Sequence, residues 1–176
     1  IDDVLDLTQG DTRGVVLEKE RVDLAGLCRA AVGTLQSQIA EKAQTLDVTI
    51  EASTGTVIGD ARRLRESIEH VLRNAVAYTD RGGRIGVRAS GTRKDAIITI
   101  SDDGPGIDVE DQTRVFDRFH RVGGAARGEA ALGLGLPLTR QFIEAHGGSV
   151  ELVSAPGQGT SVSLTIPRAS SPDKKK

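Results

Sequence analysis

The sequence predicts an α/β domain of the α+β kind, a two-layer sandwich with helices packed on one face of a mixed, mostly antiparallel sheet. Three observations predict it. Two long segments carry apolar residues at helical spacing behind a capping aspartate, Asp23 in one and Asp60 in the other. The strand-like runs come largely in turn-linked pairs, as hairpins do, so the chain does not read as doubly wound. A composition of 38% hydrophobic and 27% charged residues over 176 positions suits one globular unit with a real core.

Taken in order, Ile1, Val4 and Leu5 sit at helical spacing ahead of Gly10 and Gly14 and read as the last turns of a helix, so 1–14 is assigned to a helix end plus linker. Val15 to Val22 reads as a strand. Asp23 then caps a helix to about Ala43, with Leu24, Leu27, Cys28, Ala31, Leu35 and Ile39 as its buried side. Short strands follow near Leu46–Glu51 and Thr56–Ile58. Asp60 opens a helix to about Tyr78 whose stripe is Leu64, Ile68, Val71, Leu72 and Ala75, with Glu66, His70 and Asn74 together on another face. Ile85–Ala89 and Ala96–Ser101 have the alternation of a hairpin after the turn Arg81-Gly82-Gly83. Only short helical fragments are expected between Gly104 and Gly133. Helical periodicity returns from Leu134 to His146 and is stopped by Gly147-Gly148. Val150–Ser154 and Thr160–Ile166 form the last strand pair, and 168–176 is a polar, lysine-ended tail expected to be disordered. The principal domain is therefore 15–167.

Composition excludes several functions. With 23 Lys+Arg against 25 Asp+Glu the net charge is −2, so no basic surface for nucleic acid is expected. No run approaches the length of a membrane span, and a single cysteine, Cys28, forms neither an internal disulfide nor a metal cluster and suits the core of a protein in a reducing, cytoplasmic setting. The absence of methionine predicts a piece of a longer protein. The 21 glycines are clustered, which points to backbone chosen for a purpose.

Four features can make a nucleotide site. Asp102-Asp103-Gly104-Pro105-Gly106 stands at a strand end, where a buried carboxylate can accept from an exocyclic amine and glycine lets a ring approach the backbone; it is equally what an ordinary turn looks like. Gly133-Leu134-Gly135-Leu136 opens a helix, whose free amides and dipole suit phosphate oxygens; glycine for close packing is the alternative. Asn74 offers an amide oxygen of the kind Mg²⁺ takes when phosphates and water complete its shell, although a lone helical Asn is commonly just solvated. Gly157-Gln158-Gly159-Thr160 can be a hairpin turn and nothing more.

In order and spacing, Asn74 in Asn-Ala-x-x-Tyr, Asp102-x-Gly-x-Gly, Phe116-Asp-Arg-Phe119, Gly-Leu-Gly-Leu and Gly-x-Gly-Thr resemble the catalytic ATP-binding domain of sensor histidine kinases, over roughly Val15 to Pro167. Those domains share the Bergerat-type ATP-binding fold with gyrase, Hsp90 and MutL. The resemblance implies that Asp102 binds the adenine amino group with Thr160 nearby through water, and that Gly104 and Gly106 shape the pocket. It implies Tyr78 as pocket wall, Asn74 as the Mg²⁺ ligand, Arg121 near the terminal phosphates, and Gly133 and Gly135 as anchors of the lid. Phe116 and Phe119 would dock that lid or face the dimerisation helices, or be simple core residues.

The implied activity is transfer of the ATP γ-phosphate to a side chain on a dimerisation helix absent from this chain, followed by a response regulator as partner. The piece itself is expected to be mainly monomeric and the full-length protein a homodimer that can be membrane-anchored. The pattern is broken at His70, where Asn is usual, at Ala77, where Lys or Arg is common, and at Ala131, where glycine is usual. These departures leave a second reading, a degenerate kinase domain of the alphaproteobacterial DivL kind that regulates partners with little turnover. A gyrase-like ATPase would want Glu where His70 stands. His70 lacks the flanking residues of a phospho-acceptor, and His120 and His146 read as lid and helix-end surface residues.

Overall fold

The computed structural model describes residues 15–120 and 133–168. In chain order they form β1 (Glu20–Asp23), α1 (Leu24–Glu41), β2 (Thr45–Ile50), a single 3-10 turn (Ala52–Thr54), β3 (Thr56–Gly59), α2 (Ala61–Tyr78), β4 (Arg84–Gly91), β5 (Asp95–Asp102), the one-turn α3 (Val109–Gln112), α4 (Gly135–Ala145), β6 (Ser149–Ser154) and β7 (Thr160–Pro167).

Each long helix begins where its aspartate says it should. The Asp23 carboxylate accepts from the Ala25 amide and that of Asp60 from the Arg63 amide, both at 3.1 Å, satisfying donors that a helix start leaves orphaned. Helix α1 stops at Glu41, two residues short of expectation, because Ala43 takes a left-handed φ of 48° and the chain turns into β2. The strand expected over 15–22 is also shorter. Only Glu20–Asp23 pairs, antiparallel to β3, in a two-stranded sheet of its own; Val16 is 88% exposed and Val15 packs on a small cluster of Leu134, Leu138 and Phe142.

The main sheet runs β2-β4-β5-β7-β6, with β2 and β4 parallel and every other pair antiparallel. Its side chains alternate. Ile85, Val87 and Ala89, Ala96, Ile98 and Ile100, and Val162, Leu164 and Ile166 point to the helices, and register sets Val87 beside Ile100 and Ile98 beside Leu164. The opposite face carries Arg88, Thr99, Ser163 and Glu151 side by side, with Thr99 and Ser163 joined at 3.0 Å. Leu24, Cys28, Ala31, Leu35 and Ile39 of α1 and Leu64, Ile68, Val71, Leu72 and Ala75 of α2 fill the core as their stripes predict. Cys28 is fully buried, and that burial pushes its thiol up to about 11, so it is core rather than nucleophile.

Two polar devices hold the periphery. Helix α2 ends on the Lys42 ammonium, which donates to the carbonyls of Val76, Ala77 and Thr79 at 2.6, 3.0 and 2.7 Å, meeting the negative end of the helix dipole. The Arg168 guanidinium donates to the carbonyls of Ser53, Thr54, Thr56 and Thr92, tying the 3-10 turn and β3 to the β4–β5 hairpin. It occupies the space where a Cβ on Gly55 or Gly91 would stand. Arg168→Ala strips several charge-assisted bonds from carbonyls near solvent, so we expect a loss of about 2 kcal/mol in urea unfolding. Arg168→Lys should recover only part, because one ammonium cannot span the four acceptors; a change under about 0.5 kcal/mol in Arg168→Ala would show the clamp to be inert.

Candidate functional site

The central position of β5, between β4 and β7, delivers Asp102 to the sheet's end beneath the loop 103–107. Burial raises its carboxyl above the ordinary carboxylate range; the Gly104 and Thr160 amides pull it back, and neighbouring Asp103 adds to the rise. The Gly104 N–H donates to Oδ1 at 2.9 Å. Thr160 faces Asp102 in the β5–β7 register. Its hydroxyl lies 2.9 Å from that of Ser154, which itself donates to the Gly159 carbonyl at 2.8 Å and accepts from the Ile107 amide at 2.9 Å. Ser154 has one proton, so Thr160 donates to Ser154 and keeps acceptor capacity for a water beside Asp102.

The loop and the β6–β7 hairpin interlock closely. Gly106 lies at φ +72° with its missing Cβ directed at the Ala155 carbonyl, and Gly159 at φ +76° with its own directed at the Asp102 carbonyl. Gly157 N–H donates to the Pro105 carbonyl at 2.7 Å, and the Gln112 amide of α3 donates to the Ile107 and Ser154 carbonyls at 2.7 and 3.0 Å. The glycines here are a steric requirement of this interlock, and 157–160 is a hairpin turn that sets Thr160 on the wall of a cleft.

Asn74 and Tyr78, one turn apart on α2, face the same space, as do Gly133, Gly135 and Leu136 at the start of α4. Leu134 caps α4 without a side-chain hydrogen bond and Pro137 stands in the first turn, so the leading amides keep their donor capacity. Gly133 is required by its backbone, at φ +65° with a Cβ direction blocked by the His120 carbonyl; a Cβ on Gly135 would only touch His70 at 3.4 Å.

All of this surrounds one cleft of about 480 Å³. Its lining includes Asn74, Tyr78, Asp102, Gly106, Gly133, Gly135 and Thr160, so seven of the residues proposed from sequence meet there. Gly104 stands behind, holding Asp102 and pressed against the Tyr78 carbonyl. Arg121 and Ala131 lie outside the described residues. Ala77 is not on the lining; its carbonyl is one of those bound by Lys42. Phe116 lies under the Arg140 guanidinium at 4.0 Å, and Phe119 is 69% exposed at a left-handed φ of 64°, so neither is a plain core residue.

Both surface assignments for the histidines are corrected. The His120 ring is only 10% exposed, lines the cleft and lies 3.1 Å from the Asp111 carboxylate. His146 is fixed between two backbone groups, its Nδ1–H donating to the Phe142 carbonyl at 2.7 Å while Nε2 accepts from the Asp60 amide at 2.9 Å. Sequence reasoning also missed the apolar wall of Ile100, Ile107, Leu152, Pro156 and Val162, which comes from elements far apart in the chain. Among the described residues no His, Cys, Asp and Glu side chains gather as a metal-binding group of three or more. No described helix is long and apolar enough to cross a membrane.

Comparison with known proteins agrees with this geometry. The family model for histidine kinase-, DNA gyrase B- and HSP90-like ATPases matches residues 59–170. Sensor protein DivL of Caulobacter vibrioides is 34% identical over 98% of this chain and 22% of its own length. The signal transduction histidine-protein kinase BaeS of Escherichia coli is 30% identical over 95% of this chain and 36% of its own. The chain thus spans about a fifth to a third of the curated relatives' length. Among solved structures, a mycobacterial sensor histidine kinase MprB superposes with a TM-score of 0.73 at 30% identity, covering 85% of this chain and 97% of that one. Full-length ShkA in complex with AMPPNP shares the fold, with a TM-score of 0.81 at 24% identity over 97% of this chain and 36% of that one. The chain belongs to the histidine kinase-, DNA gyrase B- and HSP90-like ATPase family, and within it to the catalytic ATP-binding domains of sensor histidine kinases.

Proposed function

We propose that the cleft binds Mg-ATP with its purine at Asp102 and its polyphosphate between Asn74 and the start of α4, and that the γ-phosphate passes to a side chain on a dimerisation helix outside this chain. The observation that carries the proposal is the continuity of the cleft. One end offers a buried carboxylate with backbone glycine beside it, the chemistry of an amine-bearing ring; the other offers uncapped helix amides and a neutral amide oxygen, the chemistry of phosphate and a hydrated cation.

The donor set fits Mg²⁺ in one specific sense. Asn74 supplies a single oxygen from α2, which suits an ion whose remaining ligands are phosphate oxygens and water. When bound, the ion neutralises phosphate charge. The chain's own residues position: Asp102 and Thr160 fix the ring, Tyr78 walls it, Gly104 and Gly106 let it approach, and the α4 amides hold anionic oxygens. No nucleophile is required on this chain, because phosphoryl transfer is chiefly positioning and charge compensation. Arg121 is assigned to the terminal phosphates by resemblance alone. The acceptor helices, the response regulator that then takes the phosphoryl group and the homodimer of the whole protein follow from kinship with two-component sensor kinases.

Calorimetry with Mg-ATP tests the reading, with submillimolar affinity that weakens in EDTA as the expected result. Adding back the dimerisation helices should yield an acid-labile phosphoryl group on them. Binding without that product would turn the assignment to a regulatory module, and no binding at millimolar nucleotide would overturn it.

A further inference from the structure

We propose that His120, oriented by Asp111, is a polyphosphate-binding residue of this cleft; this rests on the Mg-ATP reading and adds a contact to it. Four observations meet at the ring. It lines the cleft and is nine-tenths buried, unlike the exposed Phe119 beside it. Its Nε2 is 3.1 Å from Asp111 Oδ1, and an ionised carboxylate only accepts, so Nε2 carries a proton and Nδ1 is the nitrogen left for a ligand. Its main chain is fastened at the start of α4: Phe119 N–H donates to the Gly133 carbonyl at 3.1 Å, and the His120 carbonyl blocks the Cβ direction of Gly133. That attachment places the residue's main chain beside the start of α4, while its ring reaches Asp111 on the cleft wall.

The charge balance of the cleft favours such a role. The ionisable residues on its lining are Asp102, Asp108, Asp111, Tyr78 and His120, so among the described lining residues His120 is the one that can become a cation. His70 of α2 stands close by, against Gly135. Ala77 supplies no cation from α2. A ring protonated at both nitrogens would donate to Asp111 through Nε2 and to a phosphate oxygen through Nδ1, the arrangement in which a carboxylate both aims an imidazole and balances its charge.

The test is calorimetry of the whole chain with Mg-ATP and, separately, with adenosine, which lacks phosphate. His120→Gln should weaken ATP about tenfold and leave adenosine unchanged within about twofold, and Asp111→Asn should weaken ATP less, in the same direction. Equal losses for ATP and adenosine, or an unchanged ATP affinity, would overturn the proposal. Should His120→Gln fail to fold, Asp111→Asn decides through the same comparison of ATP with adenosine. Wild-type protein that binds neither ligand sinks the Mg-ATP reading itself, whereas ATP binding indifferent to both substitutions sinks only this one.

Discussion

Asp102→Asn is expected to cut Mg-ATP affinity about a hundredfold while leaving the unliganded domain within about 1 kcal/mol of wild-type stability. The loss follows from counting acceptors. The carboxylate already takes the Gly104 N–H at 2.9 Å and is approached by the Thr160 amide, and an adenine amino group brings one more donor. Asparagine offers one oxygen and an NH₂ that must then face a donor, so a charge-assisted bond worth about 1.5–3 kcal/mol is replaced by a repulsive contact.

The stability side follows from linkage. Burial raises the Asp102 carboxyl, so the folded state holds its proton more tightly than the unfolded chain does. The stability attached to this group is therefore greatest at low pH. It declines as pH climbs from the ordinary carboxylate range through the raised folded value, and above that the penalty stays constant. The neutral asparagine carries no such penalty, which offsets its poorer hydrogen bonding. Thermal melts of both proteins from pH 4 to 8 should show the variant gaining on wild type as pH rises. A variant that melts far lower at neutral pH would mean that the carboxylate serves the fold and not a ligand.

Gly106→Ala is expected to cost about 3 kcal/mol, lowering Tm by about 6–12 °C, and to abolish nucleotide binding at submillimolar concentrations. A non-glycine residue at φ +72° pays about 1–2 kcal/mol for its conformation alone. The added methyl group is also driven into the Ala155 carbonyl, which is backbone held in the β6–β7 hairpin and has no side-chain freedom with which to yield. Relief requires the loop to part from the hairpin, sacrificing Gly157 N–H to Pro105 and Ile107 N–H to Ser154 Oγ. Gly82→Ala is the control: φ there is +76° but nothing stands within 4 Å of the Cβ direction, so only the conformational cost remains and nucleotide binding should persist. Equal effects from the two substitutions would remove the interlock from the account.

The sequence by itself determined what is local. Asp23 and Asp60 announced helix starts, the period of Leu64, Ile68, Val71, Leu72 and Ala75 announced which face of α2 is buried, and alternation announced the β4–β5 and β6–β7 pairs, because caps, helical stripes and pleats act between residues a few positions apart. The ordered glycine and aspartate boxes marked residues that line the cleft for a related reason: a left-handed φ or a carboxylate at a strand end restricts the residue at that one position. Only the tertiary structure decided that β1 and β3 form a separate sheet, that β2 pairs parallel to β4, and that Arg168 clamps carbonyls more than a hundred positions away in sequence. It also moved His120 and His146 from the surface into fixed contacts with Asp111 and Asp60. Such pairings leave no period in the chain, since what selects them is the burial of shared apolar faces and the satisfaction of backbone groups brought together by the fold.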